Sequence, residues 1–271
     1  MRRSLGQVLR LGVASGAVSL LAASRWRADN VKVLAEQPVA GTGPGPEELG
    51  QALRALLAGQ DVAGWPVTVV LADELCRLWQ VAPPPGAARL PDIEAAAALR
   101  FHTLYGEAPA AWQLTADWHS TEPFFAAAVP RALLALVDAV ALEARLHVVQ
   151  VVPHFVTAWN RWCRAIRPGA WFGQLHDGLL TLAAIEGRHL RAVRALQVPP
   201  GADHYWLTQM AAREALLLGI EPPQLVQLCG VLPAPLARPA GEGQVAVTRL
   251  DAGQGDGLSA IGRLAFSGSA A

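Results

Sequence analysis

Apolar and polar positions near the start of the chain alternate with a period of two, which is typical of β-strands. Residues 9–13 and 18–23 are two such runs, and the pair Ser15–Gly16 between them favours a tight turn. A third run follows at residues 31–37. The pattern predicts that the fold begins with a three-stranded antiparallel meander.

The same stretch has a second interpretation, as an export signal. Arg2 and Arg3 form a basic start, residues 11–23 are mainly apolar, and the residues that follow are small. However, Arg10 and several glycines and serines interrupt the apolar run. The residues favour the hairpin, and export behind a twin-arginine signal stays open as an alternative.

The second half of the sequence repeats this order of elements. Runs at residues 171–175, 179–185 and 189–198, joined by Asp-Gly and Glu-Gly turns, predict a second meander. Each meander is followed by a Pro/Gly break, a helix and a short apolar strand. These helices and strands lie at residues 47–57 and 67–71 in the first half, and at 203–218 and 225–228 in the second. The sequence therefore predicts a duplicated α/β fold.

The remaining segments complete the domain assignment. Between the copies we predict a helix, two strands and a second helix, followed by a strand at residues 147–152 and a helix at 153–166. The last residues are rich in Gly, Ser and Ala and indicate a loose tail with one weak strand at 244–250. The predicted parts are 5–90 with 146–168 (first half), 91–145 (inserted α+β subdomain), 169–238 (second half) and 239–271 (tail).

Composition excludes several classes of function. The 271 residues have a formal net charge of zero, which gives no general affinity for nucleic acid. Cys76, Cys163 and Cys229 are far apart and contain no CxxC pair, so they indicate buried thiols rather than a disulfide framework or zinc site. Only 16% of the residues are charged, which indicates that a partner covers part of the surface.

Four stretches carry a resemblance to a known fold: LRLGVASGAVSLLAAS at 9–24, VPRALLALVDAVALEARLHVVQVVPHFVTAWNR at 129–161, WFGQLHDGLLTLAAIEGRHLRAVRAL at 171–196 and AAREALLLGIEPPQLVQLCG at 211–230. In order and spacing they resemble the actin-like ATPase superfold, and more narrowly its PilM and GspL branch. Members of this branch are assembly-platform proteins of type IV pili and type II secretion. Over residues 5–235 the resemblance implies two actin-like, ribonuclease H-like halves.

The chain departs from that family at the residues that hold nucleotide. By the resemblance, the first hairpin carries an Asp for Mg²⁺ at the position of Ala14, and the second carries a longer phosphate loop than the one here. We therefore expect a degenerate, non-hydrolysing ATPase with neither ATP nor Mg²⁺ as cofactor and with no catalytic or metal-binding residues. The residues of this vestigial nucleotide cleft are Ala14, Ser15, Gly16, His176, Asp177, Gly178 and Gly230.

The resemblance also implies a partner and a location. In the family, a cleft between subdomains receives the N-terminal cytoplasmic segment of a bitopic inner-membrane protein, here one that is PilN- or GspM-like. For this chain we expect a cytoplasmic scaffold, peripheral to the inner membrane, whose docking involves residues 14–17 and 171–178. The alternatives are an active ATP-dependent enzyme of the same superfold that uses Asp177, and an exported protein.

Arginines are concentrated between residues 145 and 194, where the opposing acids are Asp177 and Glu186. One interpretation is a solvated helix end beside an exposed strand face. The other is a basic docking surface that meets anionic lipid or an acidic tail of a partner. The candidate residues for that surface are Arg161, Arg164, Arg167, Arg191 and Arg194.

Overall fold

The computed structural model of the chain describes residues 6–24, 31–41, 45–87 and 89–268. Strands and helices mix throughout this part of the chain. Its strands are β1 (Gln7–Val13), β2 (Ala17–Ser24), β3 (Val31–Pro38), β4 (Pro66–Leu71), β5 (Arg77–Val81), β6 (Trp112–Ala116), β7 (Phe124–Pro130), β8 (His147–Pro153), β9 (Ala170–His176), β10 (Leu179–Glu186), β11 (His189–Gln197), β12 (Leu225–Cys229) and β13 (Ala246–Arg249). Its α-helices are α1 (Pro46–Leu57), α2 (Leu90–Tyr105), α3 (Arg131–Glu143), α4 (His154–Trp162), α5 (His204–Leu218) and α6 (Ala260–Ser267).

These elements form two compact units. The first contains Met1–Cys76, Val129–Arg161 and Gly253–Ala271, and the second contains Arg77–Ala128 and Trp162–Ala252. Each unit has one five-stranded sheet, ordered β3-β2-β1-β4-β8 in the first unit and β11-β10-β9-β12-β13 in the second. In both sheets the first three strands are antiparallel and the last two run parallel to the central strand. The predicted duplication is confirmed.

The first hairpin lies at the centre of the first sheet. Its register pairs Gln7 with Ser24 and Val13 with Val18, and β1 also pairs in parallel with β4. Six of the eight β2 residues are buried. The stretch that could also be read as an export signal therefore forms the end of β1, the turn and β2. Cleavage after this stretch would remove two central strands of the sheet.

Helices cover both faces of the first sheet. Helices α1 and α3 bury Leu53, Leu56 and Val137 against one face, together with the inward residues of β1, β2 and β4. Helix α1 begins with Pro46, whose missing N–H costs nothing at a helix start, and Glu48 accepts a hydrogen bond from the Gly45 N–H. The other face packs against α6 through Ile261 and Leu264.

Helix α6 corrects the prediction of a loose tail at residues 239–271. Ile261, Leu264 and Ala265 have helical spacing and are buried, and Ser259 caps the helix by accepting a hydrogen bond from the Gly262 N–H. So short a helix is marginal alone, and its stability comes from packing. A Cβ on Gly12 would lie 2.9 Å from the Ala265 nitrogen, so this glycine allows the helix to approach β1.

The inserted segment is also shifted from its predicted bounds. It covers Arg77–Ala128 within the second unit rather than 91–145, because α3 packs on the first sheet and β5 joins the three-stranded sheet β5-β7-β6. The hydrophobic pattern does not predict β5, a short strand that directly follows a turn of 3-10 helix. Helix α4 ends at Trp162 instead of at 166, and the first unit ends at Arg161 instead of at 168.

An aromatic core holds the inserted segment together. Trp79 lies edge-on to Phe101 at 5.3 Å between ring centroids, and the Arg77 guanidinium lies 5.6 Å from the ring centroid of Tyr105. The Tyr105 hydroxyl donates a hydrogen bond to the Leu78 carbonyl at 2.9 Å. Burial raises the pKa of Tyr105, and the positive charges of Arg77 and Arg194 oppose that rise. No helix in the described part of the chain is long and apolar enough to span a membrane.

Candidate functional site

The turn between β1 and β2 is the first part of the candidate site. Ala14 is buried and belongs to the apolar cluster that contacts α6, while its N–H donates to the Ala17 carbonyl at 3.0 Å. Ser15 is half-buried, and Gly16 is exposed with open space around it. A methyl group at position 14 offers no oxygen to a cation, and Mg²⁺ in proteins is bound by oxygen.

A carboxylate lies directly on this turn. Glu74, in the single turn of 3-10 helix that follows β4, accepts hydrogen bonds at Oε1 from the Ser15 N–H at 3.1 Å and from the Ser15 hydroxyl at 3.2 Å. Its neighbour Asp73 is buried and accepts the Phe155 N–H at 2.9 Å, at the start of α4. The carboxyl ends of β1, β4 and β8 are thus lined by acidic side chains.

The second hairpin turn belongs to the other unit. Asp177 and Gly178 have φ angles of 45° and 75°, the left-handed values that a two-residue hairpin turn requires, so the predicted Asp-Gly turn is confirmed. His176 pairs with Leu179 across the turn, and the Gly178 carbonyl accepts the Val198 N–H at 2.8 Å. Asp177 is exposed, and no described residue forms an ion pair with it.

Gly230 lies beside this turn, directly after β12. Its φ is 100°, and a Cβ there would be 2.1 Å from the Leu175 carbonyl oxygen, so no other residue fits. The Gly230 N–H donates to Asp251 Oδ2 at 2.9 Å, and the Arg249 Nε donates to Oδ1 of the same carboxylate at 2.7 Å. The second unit therefore brings together Gly230 and the residues before the 176–178 turn.

The five arginines of the candidate docking surface differ in their contacts. Arg161 belongs to the first unit and the other four to the second. Arg194 pairs at 3.1 Å with Glu214, whose side chain is only 8% exposed, and Arg191 lies 3.5 Å from Glu186. Arg164 and Arg167 are exposed, and the Arg167 N–H donates to Gln227 Oε1. Two of the five thus contact acids of their own unit, and a basic docking surface stays a prediction.

Glu74 and Asp251 are functional candidates that the sequence motifs do not reveal. Glu74 is distant in sequence from the turn it contacts, and no local sequence pattern predicts its hydrogen bonds to Ser15. Asp251 lies in the segment whose composition indicates a loose tail. The sequence does contain one indication of both residues. Each acid lies shortly after the end of a strand that pairs in parallel with its neighbour, β4 for Glu74 and β13 for Asp251.

Comparison with solved structures identifies the architecture. The chain is similar to the cytoplasmic domain of EpsL, an inner-membrane component of the type II secretion system of Vibrio cholerae, with a TM-score of 0.59 and 17% identity over 96% of this chain and 92% of that one. It is similar to a Bacteroides thetaiotaomicron protein of actin-like ATPase fold, with a TM-score of 0.57 and 10% identity over 84% of each chain. The chain has the actin-like ATPase fold.

A third solved structure with this fold is the PilM–PilN type IV pilus biogenesis complex, which matches with a TM-score of 0.53 and 18% identity over 82% of this chain and 81% of that one. No protein-family model and no curated protein sequence matches the chain. The actin-like fold that the resemblance implied is confirmed, and two of these three similar structures come from the two machines that the resemblance named.

Proposed function

We propose that this actin-like protein is a cytoplasmic scaffold, without ATP hydrolysis, that docks to inner-membrane proteins of a type IV pilus or type II-like secretion machine. Two similar structures support the proposal, since EpsL is an inner-membrane component of type II secretion and PilM is in a pilus biogenesis complex with PilN. Both match over most of their own length, so the similarity concerns whole domains rather than one motif.

The absence of a carboxylate at Ala14 is the observation that carries the non-hydrolytic part of this proposal. Phosphoryl transfer from ATP depends on a bound Mg²⁺ that neutralises the developing charge. Ala14 presents only a methyl group, and that group is buried against α6. The short turn at 176–178 adds few backbone N–H groups of the kind that cradle a phosphate.

A bitopic membrane protein of the PilN or GspM type is the partner we propose. Its N-terminal cytoplasmic segment would contact the exposed residues of a hairpin turn, such as Gly16 in the first unit. Peripheral contact with the inner membrane is part of the same proposal, and the exposed Arg164 and Arg167 are the arginines best placed for it.

Binding of the partner's cytoplasmic segment tests the proposal. The bitopic partner is first identified by cross-linking in native membranes, and its N-terminal segment is then titrated as a synthetic peptide into the full chain by calorimetry. We expect saturable binding that is the same with and without ATP and Mg²⁺. Gly16→Arg should weaken binding of the peptide at least tenfold, the loss expected when an important interface contact is disrupted. The reason is that Gly16 is exposed on the turn, so a long side chain there would block the peptide.

The matched control is Glu94→Arg, a surface change in α2 of the second unit, which should leave the affinity unchanged. Peptide binding that requires ATP, or the lack of any cross-linked bitopic protein, would contradict the proposed function.

A further inference from the structure

Both units place a side-chain carboxylate on a backbone N–H at the carboxyl end of their parallel strands. In the first unit Glu74 accepts the Ser15 N–H just beyond β1. In the second, Asp251 accepts the Gly230 N–H directly after β12. In α/β folds ligands bind outside the carboxyl ends of the strands, and free backbone N–H groups there attract anions. In both sheets, a carboxylate of the chain itself thus binds a backbone N–H that could otherwise bind an anionic ligand.

The Glu74 contact is specific. One oxygen, Oε1, accepts both the Ser15 N–H and the Ser15 hydroxyl, at 3.1 and 3.2 Å. The two donors are those that a phosphate oxygen would use at a hairpin turn. Gly16 is exposed and a Cβ on it would meet nothing within 4 Å, so the turn is accessible from solvent. The two Ser15 donors are thus occupied by Glu74 on a turn that a ligand in solution can reach.

The Asp251 contact has the same form with one addition. Oδ2 accepts the Gly230 N–H at 2.9 Å, and Oδ1 accepts the Arg249 Nε at 2.7 Å. The guanidinium neutralises this carboxylate, whereas no described residue forms an ion pair with Glu74. The uncompensated charge is therefore the one on the first hairpin.

We propose that Glu74 is a built-in anionic cap that closes the first hairpin turn to phosphate groups. The inference rests on the proposed non-hydrolytic function and names a residue that would prevent phosphate binding. Like charges in close contact repel each other near a protein surface, so an entering phosphate meets both repulsion and occupied donors. Removal of the Glu74 carboxylate frees both Ser15 donors.

Inorganic tripolyphosphate is the probe that tests this cap, with sodium chloride at equal ionic strength as the reference. Thermal unfolding of the full chain is followed for the natural protein and for Glu74→Ala. A ligand that binds only the folded state raises its stability. We expect the melting temperature of Glu74→Ala to rise with tripolyphosphate and that of the natural protein to stay unchanged, with at least a tenfold difference in apparent affinity.

Two further variants keep the result interpretable. Glu74→Gln retains an acceptor without the charge, and we expect an intermediate response even if Glu74→Ala folds poorly. Asp138→Ala removes an exposed carboxylate of α3, elsewhere in the first unit, and should give no response. The proposal is overturned if neither Glu74 variant gains affinity, if Asp138→Ala gains as much, or if the natural protein binds tripolyphosphate as tightly as Glu74→Ala does. ATP hydrolysis by the natural protein would instead contradict the proposed function itself.

Discussion

Single residues decide what the candidate site can bind, and they differ in how far the sequence alone predicts them. The Asp-Gly turn at 177–178 is visible in the residues, because turn chemistry is local. The absence of an acid at Ala14 has meaning only through the resemblance to the actin-like family. The Glu74 contact with Ser15 is not visible in the sequence, since it joins two strand ends that meet only when β1 pairs with β4.

Tyr105 gives a prediction at the residue scale. Tyr105→Phe removes the hydrogen bond to the Leu78 carbonyl and should lower the free energy of unfolding by about 1 kcal/mol at neutral pH. Because burial raises the pKa of Tyr105, its contribution is complete below the unfolded value of about 10 and is lost as pH rises through the folded pKa. The difference from the natural protein should therefore shrink in alkali.

Denaturant unfolding of the natural protein and of Tyr105→Phe, carried out at several pH values from neutral to alkaline, measures this difference in stability. The other tyrosine, Tyr205, is 63% exposed, so Tyr205→Phe is the matched control and should change little at any pH. A stability gap for Tyr105→Phe that stays constant or widens above pH about 10 would argue against a neutral, partly buried phenol.

At the scale of elements, the sequence predicts the regular strands and helices but not the C-terminal helix. The meanders, α1 and α5 follow from strand and helix periodicity with turn residues between them. Helix α6 lies in a segment whose Gly, Ser and Ala content indicates a tail, and its stability depends on a distant partner surface on β1. The composition of the segment does not show that β1 provides a surface on which this helix packs.

Gly12 tests the docking of α6. Gly12→Ala would place a Cβ 2.9 Å from the Ala265 nitrogen and 3.0 Å from the Ile261 carbonyl oxygen, both on the backbone of the helix. Because backbone atoms cannot rotate away, we expect a loss of about 1–3 kcal/mol and faster amide hydrogen exchange in residues 260–267.

Gly16→Ala is the matched control, since its Cβ meets nothing within 4 Å and it lies on the same hairpin. It should leave both the stability and the exchange of α6 unchanged. Equal effects from the two alanines would show that α6 does not depend on close approach to β1.

The whole molecule has one architectural plan used twice. Two sheets have the same strand order, each with a meander and two further parallel strands, and the hydrophobic pattern of the sequence alone predicts this internal repeat. The pattern does not predict the boundaries of the inserted segment, because α3 and β5 are assigned by the surfaces they pack on rather than by their position in the sequence. The two halves thus share a fold whose repeat is evident in the sequence, whereas the boundaries of the inserted segment depend on packing.

A titration of ATP with Mg²⁺ into the natural full chain, followed by calorimetry, tests the central claim most directly. The account predicts no saturable binding up to millimolar ATP, since Ala14 supplies no metal ligand and Glu74 occupies the donors of the first turn. Saturable binding that requires Mg²⁺ and is abolished by Asp177→Ala would contradict it, and would support an active nucleotide-dependent enzyme of the actin-like fold.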